Sequence, residues 1–98
     1  MSWIINIEPS PRRSFLYRVH LLDGSHVDFG NHSTNYYVDT GDKNERRWYF
    51  RSMSKQKKKQ VISLKPSAPL YETFILNGHS KNTIKNLNFF NKEFNRWG

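Results

Sequence analysis

The sequence predicts a small α+β domain, and three observations carry that prediction. Two runs of alternating apolar and polar residues flank Leu22-Asp23-Gly24, the pattern of an antiparallel β-hairpin over about residues 15–30. Apolar residues recur at helical spacing through Ile84, Leu87, Phe90, Phe94 and Trp97, which predicts a helix over about residues 81–96. Asp42, with Glu45 three residues later and an aromatic run behind it, has the form of a capped helix start, which predicts another helix over about residues 42–56. Ninety-eight residues are enough for one domain, so 1–98 is read as a single unit.

Trp3 to Ile7 is a short β-prone run that Pro9 and Pro11 should end, which makes 3–7 a candidate third strand. The hairpin register follows from how it sorts the side chains. A two-residue Asp-Gly turn would set Leu21 opposite His26 and Val19 opposite Asp28. A three-residue loop, with Gly24 left-handed, pairs Val19 with Val27, Tyr17 with Phe29 and Leu21 with Ser25 on one face. Its other face pairs Arg18 with Asp28 and His20 with His26. The second register separates apolar from polar residues, so it is the one expected.

Asn31 to Gly41 is polar apart from Tyr36-Tyr37-Val38 and reads as a loop or one short extended piece. In the 42–56 helix, Trp48, Tyr49, Phe50 and Met53 supply an apolar face, although three consecutive aromatics cannot all point one way and Trp48 is the one set apart. Arg47, Arg51 and Lys55 line another face at four-residue intervals, and the lysines that follow should fray the end. Val61 to Leu64 reads as a short strand or turn, and Lys65 to Pro69 as a loop. Tyr71 to Leu76 is apolar but too short for pattern to separate helix from strand; Asn77-Gly78 ends it. Ser80 is the expected N-cap of the last helix. Asn86, Asn88, Asn91 and Asn95 lower that helix's propensity, so tertiary packing must hold it. The two helices are expected to cover the Val19/Val27/Tyr17/Phe29 face of the hairpin.

Composition narrows the function. The chain has 16 Lys+Arg against 8 Asp+Glu, a formal net charge of +8, and no cysteine. Disulfide frameworks and thiolate zinc sites are thereby excluded. No apolar run reaches the roughly 18–20 residues of a membrane span, and the first eight residues lack the basic n-region of a secretory signal. The charge is concentrated. Lys43 to Lys65 holds nine basic residues opposed only by Glu45, a segment of net charge +8, so the rest of the chain is neutral. A block of this kind repels itself unless it is solvated or meets an anionic partner.

No constellation for catalysis is visible. His20 opposite His26 is the nearest approach to a metal site, but no thiol or carboxylate clearly joins the pair, and a solvated cross-strand pair explains it better. Asp42 is explained as a cap and Asp28 as the partner of Arg18. No metal, cofactor or small-molecule substrate is expected. Basic residues beside Trp48, Tyr49 and Phe50 form the combination that contacts phosphates and stacks bases. The competing explanation is that these aromatics are core. A docking role suits the sequence as well, because aromatics exceed what one small core requires and Trp3 and Trp97 sit near the chain ends as candidate anchors.

The run from Leu16 to Gly30, a strand–Asp-Gly–strand closing on Phe29-Gly30, is followed by Tyr36, Tyr37 and Asp39, then by Arg46, Arg47 and Phe50, and finally by Phe89, Phe90, Phe94 and Trp97. This ordered set resembles a family of small basic proteins of large nucleocytoplasmic double-stranded DNA viruses. The likeness covers residues 15–54 and 84–98. It departs after Arg51, where the pattern has Arg-His and this chain has Arg51-Ser52-Met53, and residues 55–78 form a longer stretch than the pattern contains. The resemblance implies a viral source, no catalytic residues, and a minor component of the virion, present in the host cytoplasm during assembly. The expected function is therefore a non-enzymatic structural protein that bridges larger capsid proteins. Arg46, Arg47, Arg51, Lys55, Lys57, Lys58 and Lys59 would make the electrostatic contact, with Trp3, Trp48 and Trp97 as anchors. The alternative is a basic protein that binds nucleic acid and is packaged with the genome; an acidic protein surface could also receive the segment.

Overall fold

A computed structural model of the chain describes residues 3–94. Three strands, β1 (Ile4–Pro9), β2 (Tyr17–Leu21) and β3 (His26–Phe29), form an antiparallel sheet in the order β1-β2-β3. Helices follow: α1 (Tyr37–Thr40), α2 (Lys43–Arg51), α3 (Lys55–Ile62), α4 (Ala68–Tyr71), which continues as a π-helical turn over Glu72–Leu76, and α5 (Thr83–Phe94). The α+β class stands.

The hairpin has the register expected from side-chain sorting. Tyr17 faces Phe29, Arg18 faces Asp28, Val19 faces Val27 and His20 faces His26. Leu21 N–H donates to Ser25 at 2.9 Å, and Gly24 sits at φ +91°, where a residue with a Cβ is strained. Val19 and Phe29 are fully buried on one face. On the other, Arg18 grips Asp28 with two hydrogen bonds, Nε to Oδ1 at 2.7 Å and Nη2 to Oδ2 at 3.0 Å. Ser10 donates a third at 3.0 Å. The Arg18 hydrogen bond holds the Asp28 carboxyl below the usual carboxylate range, with Ser10 adding to it against the opposing effect of burial. Because the folded state lowers this pKa, the stabilisation is complete above the ordinary carboxylate value of about 4 and is lost as pH falls through the lowered folded value. Asp28→Asn is therefore expected to flatten the acid limb of a denaturation-versus-pH curve; an unchanged acid limb would show that Asp28 does not carry it.

The first strand runs two residues beyond the expected 3–7, and Pro9 lies within it opposite Tyr17. An edge strand tolerates this, because one side of its backbone needs no ladder partner. The edge is instead closed by a side chain. Ile4 N–H donates to Asn91 Oδ1 at 3.0 Å, and Asn91 Nδ2 donates back to the Ile4 carbonyl at 2.8 Å. Asn91 of α5 thus presents an amide to β1 as a neighbouring strand would.

The core lies between this sheet and the segment from α4 to α5. Ile4, Val19, Leu21 and Phe29 meet Leu70, Tyr71, Ile75, Leu76, Leu87 and Phe90, with Tyr36 closing one side. The sheet face is therefore covered by α4, its π turn and α5, rather than by the helix expected at 42–56. Burial pushes the hydroxyls of Tyr36 and Tyr71 up to about 12.

Several expectations need correction. The 42–56 helix is two helices. It ends at Arg51, and Ser54 restarts the chain at ψ 160°, its hydroxyl accepting from Lys57 N–H. The lysines from Lys55 to Lys59 are helical rather than frayed, and Val61 and Ile62 belong to α3 rather than to a strand. Gln60, Val61, Leu64 and Lys65 close α3 in a Schellman arrangement with Leu64 at φ +56°. Residues 37–40 are a helical turn rather than loop or extended chain, anchored where Tyr37 N–H donates to the buried Asn77 Oδ1 at 2.9 Å. Ala68 and Pro69, expected in a loop, open α4, where proline costs no hydrogen bond. In α5 the N-cap is Asn82, which accepts from Lys85 N–H, while Ser80 receives Asn82 N–H. The buried face of α5 carries Leu87 and Phe90 as expected, but Ile84 at its edge is 53% exposed, and the flanking positions hold Asn86, 0% exposed, and Asn91, 3% exposed. Asn86 Nδ2 donates to the carbonyls of Ile75 and Ser80, each at 2.8 Å, and its Oδ1 accepts from Ser80 N–H at 3.0 Å. The asparagines that weaken this helix locally are what tie it to the fold. The expected helix end, with Asn95, Arg96 and Trp97, lies outside the described residues.

Candidate functional site

The basic segment becomes the helix pair α2–α3. Asp42 starts α2 as expected: its Oδ1 accepts from Asn44 N–H at 2.8 Å and Glu45 N–H at 3.2 Å. Glu45 does not complete a reciprocal box, because Asp42 N–H donates to Thr40 Oγ1. With Glu45 at the start and Arg51 in the last turn, the ends of α2 complement its dipole.

The candidate contact residues divide. Arg46 is turned inward. Its Nη1 donates to the Gly78 carbonyl at 2.8 Å, and its guanidinium lies 4.3 Å from the centre of the Tyr37 ring. It braces α2 against the chain just after the π turn and is withdrawn from the exposed cations. Arg47, Arg51, Lys55, Lys57 and Lys59 are exposed. Lys58 is half-buried, its ammonium 5.8 Å from the centre of the Phe50 ring, which joins α3 to α2. Among the described residues the ion pairs are Arg12 and Arg18 with Asp28, and His20 with Glu8. None lies on α2 or α3, so among the described residues these cations have no ion-pair partner. The Glu8 contact also supplies a carboxylate beside His20 that sequence reasoning did not connect to it.

The aromatics of α2 separate in the same way. Tyr49 packs against the core edge, its ring 5.9 Å from that of Tyr36, and its hydroxyl donates to Glu72. Burial, reinforced by that carboxylate, raises the Tyr49 pKa. Met53 is half-buried. Phe50, expected in the core, is exposed at the side of Lys58. Trp48 is 66% exposed and stands between two clefts. One, of about 280 Å³, is lined by Asn44, Arg47, Trp48 and Arg51. The other, of about 440 Å³, runs between the loop Ser33–Asn35 and a stripe formed by Glu45, Trp48, Tyr49 and Ser52. Both sets follow the i, i+3, i+4, i+7 spacing of adjacent helix stripes, and Trp48 belongs to both. The loop wall is held by Asn31, whose Oδ1 accepts from Ser33 N–H at 2.8 Å and from the Ser33 hydroxyl at 2.7 Å, and whose own N–H donates to Tyr36 Oη at 2.8 Å. This cleft was not visible in the sequence, because the loop and α2 are brought together by tertiary packing, the Tyr36–Tyr49 ring contact included.

Trp3 is 38% exposed, with Ile5 and Leu22 also exposed nearby in the chain's pairing: Leu22 N–H donates to the Trp3 carbonyl at 2.8 Å. Trp97, the third expected anchor, lies outside the described residues. Among those residues no helix is long and apolar enough to cross a membrane. No protein-family model matches the chain, and no curated protein or solved structure does so either.

Proposed function

We propose that this chain is a non-enzymatic structural protein, a minor virion component that joins larger particle components by docking α2–α3 on an anionic partner. The observation that carries the reading is the group of exposed cations Arg47, Arg51, Lys55, Lys57 and Lys59, without an ion pair among the described residues, on two consecutive helices of an otherwise neutral chain. The viral setting, including its presence in host cytoplasm during assembly, rests on the family resemblance. Trp3 with Ile5 and Leu22 supplies a second, apolar contact suited to a capsid-protein neighbour.

A second reading, a basic protein packaged with the viral genome, is favoured by one observation: Trp48 is exposed beside Arg47 and Arg51 rather than buried. Fractionated particles separate the two. A capsid role expects the protein in emptied shells at a fixed ratio to the major shell protein. Recovery solely with released genome would overturn that role and support packaging with nucleic acid. The docking face has its own measurement. The double charge reversal Arg47→Glu with Arg51→Glu is expected to weaken binding to a nucleic acid and to reduce the salt slope, log affinity against log salt, by about two. An unchanged slope would remove these arginines from the contact.

A further inference from the structure

Trp48 divides two clefts of opposite chemical character. On one side lie Arg47, Arg51 and the amide of Asn44. On the other lie Glu45 and the polar groups of Ser33, Thr34, Asn35 and Ser52. A phosphate is drawn to the first cleft and repelled from the second by the Glu45 carboxylate. A nucleobase has the opposite preference. Its ring N–H or amino groups donate to a carboxylate, its edge exchanges hydrogen bonds with Ser, Thr and Asn, and its π-face stacks on an indole. The second cleft is an open groove of about 440 Å³, with room for a planar base lying against the Trp48 ring. Its walls are fixed: Tyr49 is tied to Glu72, and the opposing loop is tied to Tyr36.

We propose that Trp48 is the stacking platform of a single-stranded nucleic-acid site, with an unpaired base in the Glu45/Ser33–Asn35 cleft and the adjoining phosphates on Arg47 and Arg51. The inference rests on the reading of α2–α3 as an anion-docking element and names its partner. A duplex does not fit, because its bases are stacked and paired and cannot reach the second cleft without being extruded. An acidic protein surface satisfies the arginines but leaves the base cleft without a function.

The test is fluorescence anisotropy of the full chain with five labelled probes: a short mixed-sequence single strand as DNA and the same as RNA, the matching duplex, heparin, and poly-glutamate. Trp48→Ala is expected to weaken single-strand binding by about 10- to 100-fold and to leave heparin binding unchanged, while Trp48→Phe recovers most of the loss. Circular dichroism checks that the exposed substitution leaves the fold intact. If single strand, duplex and heparin bind alike and Trp48→Ala affects none of them, the base site is overturned and the basic docking face stands. If poly-glutamate binds and nucleic acids do not, the partner is an acidic protein and the base site is likewise overturned. If no polyanion binds, both the site and the docking reading fall.

Discussion

Asn86→Ala is expected to remove about 3–4 kcal/mol of folding stability. The side chain is fully buried and serves three backbone groups: the carbonyls of Ile75 and Ser80 and the N–H of Ser80. Alanine leaves all three without that partner, and a buried polar group stripped of its hydrogen bond costs about 1–3 kcal/mol. The three share one site and relax together, so the total falls below their sum. Against the 5–15 kcal/mol typical of a whole domain, the loss is large. Aspartate, close in shape, is expected to do no better, since it keeps the acceptor but turns the donor to both carbonyls into a repelling oxygen. Gly78 belongs to the same arrangement. A Cβ there would lie 2.4 Å from the Phe74 carbonyl oxygen and 2.6 Å from Asn86 Cγ, so Gly78→Ala should disturb the same junction. Urea denaturation measures both; a loss under about 1 kcal/mol for Asn86→Ala would mean that the orphaned groups find other partners.

Asn91→Ala is expected to cost about 2–3 kcal/mol and to act first on β1. Both hydrogen bonds that Asn91 makes with Ile4 are buried, and they are the contact between α5 and the outer edge of the sheet. Without them Ile4 presents a donor and an acceptor at an open edge, the geometry that recruits another strand. Native-state hydrogen exchange distinguishes this from a general loss. The Ile4 amide, and the Leu22 amide that donates to Trp3, should lose protection beyond the global change. Uniform loss across all amides would show that β1 and the core open as one unit. At high concentration the variant should also self-associate, which sedimentation detects.

The hairpin was legible in the sequence because two independent constraints agree. Alternation fixes which residues share a face, and the glycine after Asp23 fixes the loop, so the Val19–Val27 and Arg18–Asp28 pairings follow without knowledge of the rest. The last helix was legible as a helix and in the apolar part of its buried face, but not in the polar part. Spacing placed Leu87 and Phe90 in the core, where they are, but it also favoured Ile84, which is exposed, and it did not mark Asn86 and Asn91, which are buried beside them. Hydrophobic periodicity has no means of registering a polar side chain whose partners are backbone groups from Ile4 and Ile75, distant in the chain. The break between α2 and α3 was missed for a local reason. Ser54 is a good N-cap, but the lysines after it offer no acidic residue to mark a first turn, so the segment looked like one fraying end. Of the candidate site, the cations and the exposed tryptophan were legible individually. That Arg46 would turn inward to Gly78 and Tyr37 was not, because both partners reach it only through the tertiary fold.

The clasp between Ile4 and Asn91 joins residues 87 positions apart, and that separation orders events in time. On a growing chain, the hairpin and its pairing with β1 can form from the first thirty residues, whereas the outer edge of β1 stays unclosed until α5 has emerged from the ribosome and folded. Throughout synthesis the nascent protein carries an open strand edge beside Trp3 and Ile5. Its exposure to wrong partners therefore depends on the delay before one late asparagine arrives, and slowing translation between α2 and α5 should lengthen it.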